Sequence, residues 1–210
     1  MKKLCLLALA AVLALLSPVG CSRAADGIDA RATVRLLEDE ENIGSAVVLL
    51  PGVVLTAQHV MVAAPKAKIG AGQAPASVIA ITDGDLVDLA LVAYPVAEAP
   101  CPCARLADYP ARLDEPIYTI GHPGSRTQIV ALGTAQGTHD INQPGFHGRR
   151  LVATAWVSGG NSGGGVFVKR DGEYQLVGVL TEGNATRHLS YAIPLEEIRA
   201  FINEFIDGSR

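Results

Sequence analysis

Apolar and polar positions exchange over short distances through most of the chain, in the way short strands separated by turns require. "ATVRLL" (Ala32–Leu37), "GSAVVLL" (Gly44–Leu50) and "VVLT" (Val53–Thr56) are apolar and largely β-branched, and Pro51-Gly52 lies between the last two as a turn. "SVIAIT" (Ser77–Thr82) and "VDLALVAY" (Val87–Tyr94) continue the pattern. A proline-rich stretch from Pro95 to Pro116 then breaks it and reads as a connection between two halves, 25–110 and 111–210. Six more strands are predicted beyond it, at Ile117–Gly124, Thr127–Gly137, Arg149–Val157, Gly164–Lys169, Tyr174–Gly183 and Leu189–Pro194. Strands at this spacing predict an all-β sandwich or barrels. One segment has the helical period instead. Leu195, Ile198, Phe201, Ile202, Phe205 and Ile206 share a face, with Pro194 at its start and Gly208 at its finish, which predicts a C-terminal α-helix.

The first residues follow another logic. Lys2 and Lys3 precede an apolar run from Leu4 to Leu16, too short to span a bilayer, which takes about 20 residues. Basic residues ahead and small residues behind make residues 1–24 an expected export signal. Two cuts are open. "SPVGC" resembles a bacterial lipoprotein site, with lipidation at Cys21 and anchoring to the membrane; "SRA" offers an ordinary cut after Ala24. Either puts the mature chain in the periplasm, in the cell envelope or outside the cell.

Composition narrows the function. A formal charge of −4 supplies no basic face, so a nucleic-acid partner is not expected. Of the four cysteines, Cys101 and Cys103 would remain in a mature chain cut after Ala24. Their C-x-C spacing suits neither a metal site nor a redox pair, so they read as linker cysteines, free to pair in an oxidising compartment. No two histidines have metal-ligand spacing, and neither a metal nor a cofactor is expected.

The candidate chemistry centres on "SGGNSGGGVF" (Ser158–Phe167). Glycines at 159, 160, 163, 164 and 165 would let the backbone turn so that the N–H groups of Gly160 and Ser162 converge on an oxyanion, with Ser162 as nucleophile. The same glycines also fit a flexible loop. A serine nucleophile needs a base and a group to orient it. His59, after the strand "VVLT", is placed to be rigid yet open to a cleft; a surface histidine is the alternative. His139 and His147 fall in a polar glycine-rich loop, His122 in a Gly-His-Pro-Gly turn and His188 beside Arg187 in another. Asp88 starts an apolar strand, on the face of Ala90 and Val92, where a carboxylate wants a partner such as an imidazole N–H. A solvated strand end is the alternative.

Together "TAQHV", "DLAL" and "GNSGG", in that order, resemble the three signatures of the chymotrypsin-like serine peptidases. The separations of 29 and 74 residues, and the turn "IGHPGS", are similar to the bacterial HtrA/Deg-type and glutamyl-endopeptidase-like branches. The resemblance covers roughly residues 30–206. It implies two six-stranded antiparallel β-barrels with the His59, Asp88 and Ser162 triad in the cleft between them, and the protease domain alone, without PDZ modules. Gly165 departs from the family, which usually has proline there, and suggests a looser strand after the nucleophile. Asn161 stands where digestive members carry aspartate, so no activation by a new N-terminus is implied.

By the family pattern, Trp156, Val157, Ser158, Leu180, Thr181 and Ala192 line the primary pocket, with Trp156 where a trypsin-like floor would carry aspartate. Leu180 and Ala192 favour a small or medium apolar side chain. The expectation is an exported serine endopeptidase acting on protein or peptide substrates. The alternative is a non-catalytic cell-envelope binding protein on the same fold.

Overall fold

The structure is a computed structural model that describes residues 32–38, 41–70, 73–95, 103–124, 127–143, 146–184 and 186–208. The N-terminal apolar run, Cys21 and Cys101 lie outside the described residues. No described helix is long and apolar enough to cross a membrane.

The first half forms one curled sheet. Its strands are β1 (Thr33–Glu38), β2 (Glu41–Leu50), β3 (Val53–Thr56), β4 (Lys68–Ile69), β5 (Ala74–Pro75), β6 (Ser77–Ile81) and β7 (Ala90–Ala93), in the order β5-β4-β1-β2-β3-β7-β6. Pro51-Gly52 makes the β2–β3 turn, and Gly52 adopts a φ of 80° that a side chain would resist. A short helix, α1 (Gln58–Ala63), follows β3 directly and is held by buried Val60 and Met61.

The second half closes on itself. Its strands are β8 (Arg105–Leu106), β9 (Pro116–Gly121), β10 (Ile129–Gln143), β11 (Phe146–Ala153), β12 (Gly165–Arg170), β13 (Glu173–Asn184) and β14 (Leu189–Pro194). The sheet runs β12-β9-β10-β11-β14-β13, and a β12–β13 pairing completes a ring of six antiparallel strands. The stub β8 attaches to β13 in parallel. The chain crosses between the sheets at a single step: Ala104 N–H donates to Val48 O of the first sheet, and Arg105 pairs with Gln175 of the second.

Alternation along the strands fills three cores. Ala46, Val48, Val54, Ala90 and Val92 point into the first sheet. Ile117, Ala135, Leu151, Val166 and Leu180 fill the second ring. The opposite faces, Val47, Leu49, Leu89 and Leu91, join Ile120, Phe167, Val179 and Ile193 in a third cluster between the two sheets. The C-terminal helix α2 (Leu195–Gly208) seals that cluster with Ile198, Phe201, Ile202 and Ile206, as its periodicity predicts.

Three local expectations change. His139 and His147 are not in a loop: they lie on β10 and β11, whose ladder runs out to Gln143 and Phe146. That ribbon extends beyond the core and is exposed at both histidines, so it carries no apolar alternation to read. The strand expected at Val87–Tyr94 is confined to Ala90–Ala93, which leaves Asp88 in the loop before it. Gly165 does not loosen its strand. It pairs with Ile120 on one side and Val179 on the other, and a Cβ there would fall 2.3 Å from the Phe167 ring.

Candidate active site

The end of β3 delivers His59. Ala57 is fully buried, and α1 starts immediately after it, so His59 rides on the first turn of a helix fixed to the core. Asp88 reaches it from the loop between β6 and β7. Thr82 ties the base of that loop, its Oγ1 donating to Val87 O and accepting from Leu89 N–H. Gly84, with φ of 86°, passes over the Gln58 side chain where a Cβ would collide.

Asp88 is 9% exposed and holds His59 by both oxygens. Oδ1 accepts from the His59 main-chain N–H at 2.9 Å, and Oδ2 meets Nδ1 at 2.7 Å. A carboxylate only accepts, so Nδ1 carries a proton, and in the neutral ring the lone pair is then on Nε2. The imidazole itself is about half exposed and open to solvent.

Ser162 arrives from the second barrel. Gly163, beside it, presses against the segment that carries His59: a Cβ at Gly163 would fall 2.1 Å from Thr56 Oγ1 and 3.1 Å from Ala57 N. No side chain fits there, which explains one glycine of the run. The Ser162 hydroxyl donates to Thr181 O at 3.1 Å and does not bond His59.

Two main-chain donors are oriented by their own peptide planes. Asn161 N–H donates to Ser158 O, and Gly160 has a φ of 91°, the geometry of a turn that demands glycine at its third position. The Gly159 carbonyl accepts from Gly124 N–H at 2.7 Å, and the Asn161 carbonyl from Gly164 N–H at 2.8 Å. In a trans peptide the N–H lies opposite the carbonyl. The N–H groups of Gly160 and Ser162 are therefore turned away from those contacts, and among the described residues neither has an acceptor.

A residue that sequence reasoning passed over joins these parts. Ser45 on β2 is fully buried. Its hydroxyl donates to Gly160 O at 2.8 Å and accepts from His122 N–H at 2.9 Å. Its main-chain N–H donates to Ser162 O, and its carbonyl accepts from Thr56 Oγ1. Asn42 adds a bond from Nδ2 to His122 O. The serine loop, the histidine segment and the Gly-His-Pro-Gly turn are thus held by one residue, through its side chain and its main chain together. Ser45 shares a strand face with Val47 and Leu49, and a hydroxyl on a core face signals a partner just as Asp88 did.

The expected pocket residues divide. Val157, Leu180 and Ala192 belong to the second core, and Thr181 is buried behind the Ser162 hydroxyl. Ser158 is exposed, and Trp156 is 49% exposed. Val157 Cγ2 lies only 2.3 Å from where a Cβ on Gly183 would stand, so its methyl fills the gap between the two segments. Cys103 is disulfide-bonded, and its partner lies outside the described residues. The described residues hold no group of His, Cys, Asp and Glu able to take a metal ion.

Residues 44–179 match the model of a family described as a trypsin-like peptidase domain. Among solved structures, the active form of the Rv3671c protease from M. tuberculosis is similar at a TM-score of 0.70 and 19% identity, over 89% of this chain and 88% of that one. The same protease in its inactive form gives 0.68 and 21%, over 89% of this chain and 98% of that one. A variant of the HtrA-type protease AlgW with a tripeptide gives 0.70 and 22%, over 87% of this chain and 62% of that one. No curated protein matches the chain by sequence.

Proposed function

The chain belongs to the trypsin-like peptidase family, and from that premise we propose that it is an endopeptidase in which Ser162, His59 and Asp88 form the catalytic triad. The observation that carries the assignment is the two-point grip of Asp88 on His59 beside the tightly packed Ser162 loop. In the reaction the Ser162 hydroxyl turns from Thr181 O to His59 Nε2, which takes its proton as the oxygen attacks the scissile carbonyl. Asp88 holds the ring and stabilises the imidazolium. His59 then returns the proton to the leaving amine, and water releases the acyl group by the reverse sequence. The N–H groups of Gly160 and Ser162 receive the oxyanion, where one such donor is worth roughly 2.7–4 kcal/mol in the transition state. The protein's own groups supply every proton transfer in this scheme.

Substrates are proteins or peptides. The family pattern supports a preference for small or medium apolar side chains beside the scissile bond, and the Val157 methyl against Gly183 argues for the smaller end of that range. A peptide-library cleavage profile tests this: a preference for aromatic or basic residues would overturn it. Export rests on the basic residues and apolar run at the N-terminus, with Cys21 or Ala25 as the mature first residue; mass spectrometry of the mature terminus separates the two.

An active-site fluorophosphonate tests the triad. It should label wild type on Ser162 and spare Ser162→Ala, and His59→Ala should lower turnover by about four orders of magnitude or more. A folded wild-type protein that resists labelling would leave the binding-protein reading in its place.

A further inference from the structure

Arg150 sits on β11 in the second barrel, 3% exposed, far along the chain from His59 and Asp88. Its Nη1 donates to Leu86 O at 2.9 Å, two residues before Asp88, and to Arg149 O at 2.9 Å. Gly148 makes room for this approach. It has a φ of 93°, and a Cβ there would fall 2.2 Å from Leu86 O and 3.0 Å from Arg150 Nη1. The second barrel therefore grips the loop that carries Asp88, through a slot built of one glycine and one guanidinium.

A buried cation is costly unless anions answer it. Burial draws the Arg150 guanidinium below its ordinary range, while Asp88, Glu182 on β13 and Glu197 on α2 act in the opposite direction. His139, across the ladder from Arg150, turns its Nε2 to Gln136 O instead. The charge of Asp88, whose oxygens both bond His59, is thus felt by a cation on the second barrel.

We propose that Arg150 is a positioning residue: it pins the Asp88 loop to the second barrel, and its fixed charge keeps His59 from holding a proton too tightly. The role rests on the triad reading above. A positive charge acting on Asp88 weakens the carboxylate's pull on an imidazolium and also opposes that cation directly. Without it, His59 would stay protonated to higher pH and be a poorer acceptor for the serine proton.

The test is an NMR titration of the His59 ring in wild type, Arg150→Gln and Arg150→Lys. Glutamine keeps a donor for Leu86 O and loses the charge; lysine keeps the charge and loses the fork. The His59 midpoint should rise by about half a pH unit or more in Arg150→Gln and stay near wild type in Arg150→Lys. The acid limb of kcat/KM should move in parallel. A folded Arg150→Gln with an unmoved His59 midpoint would overturn the proposal, because a merely structural residue predicts lower stability alone. If glutamine prevents folding, a lysine variant whose midpoint rises despite its retained charge overturns it equally. The titration reads His59 whether or not the protein cleaves peptides, so failure of wild type to label at Ser162 would sink the triad reading separately.

Discussion

At Gly160 the left-handed backbone and the surrounding atoms both exclude a side chain. A Cβ would stand 2.5 Å from Asn42 Nδ2 and 2.5 Å from His122 O, so Gly160→Ala must shift the turn that aims its own N–H. Losing one such donor lowers kcat by about 10²–10³, and that is the expected effect, with a smaller change in KM, in steady-state kinetics on a peptide substrate. A near-normal kcat would remove Gly160 from the oxyanion role. The triad candidates were legible because their chemistry is rare in strand-rich sequence: a histidine after "VVLT", an aspartate before "LALVA", a serine among glycines. Ser45 and Arg150 were not. Ser45 offered only a small hydroxyl on an apolar strand face, a weaker signal than a carboxylate; Arg150 is one of two adjacent arginines, and nothing local distinguishes the buried one from the solvated one. Their roles come from atoms some 60 to 115 positions away.

Among the elements, the segment leading into the second ring is fastened by one ion pair. Arg170 at the end of β12 meets both oxygens of Glu115, at 2.8 and 2.7 Å, and donates to the carbonyls of Tyr109 and Pro110 while its guanidinium lies over the Tyr109 ring. Burial alone would raise the Glu115 carboxyl; the Arg170 bond and charge, with the Arg112 N–H, bring it below the ordinary value of 4.5. A carboxyl lowered on folding adds stability that is complete above about pH 4.5 and disappears as pH falls through its folded value. Glu115→Gln should therefore cost about 2 kcal/mol near neutrality and much less in strong acid, read from denaturant midpoints at several pH values. Equal loss at all pH values would deny the pair this role. Strands with a buried face were located by their apolar pattern, although β7 is shorter than the apolar run that contains it. The outer part of the β10–β11 ribbon was missed because both of its faces meet water, and the two-residue stubs β4, β5 and β8 are too short for any period.

Across the whole molecule, the cluster between the sheets makes the two halves one cooperative unit. Val47 and Leu91 from the first sheet, Ile120 and Phe167 from the second, and Phe201 from α2 share it. Phe201→Ala should cost about 3–4 kcal/mol and lower a single thermal transition; two separate transitions in calorimetry would show that the halves melt independently. The two-part organisation was legible from the proline-rich break. The packing of one half on the other was not, because in a strand with two buried faces the second face looks like any other apolar position. The bond from Ser45 to the carbonyl of Ser162 also has a meaning in time. During synthesis the ribosome releases the imidazole and its carboxylate first, while the serine and the last three ring strands are still to be made. A nascent chain therefore has no working cutting edge until its final residues are in hand, and it cannot digest its neighbours while it is being born.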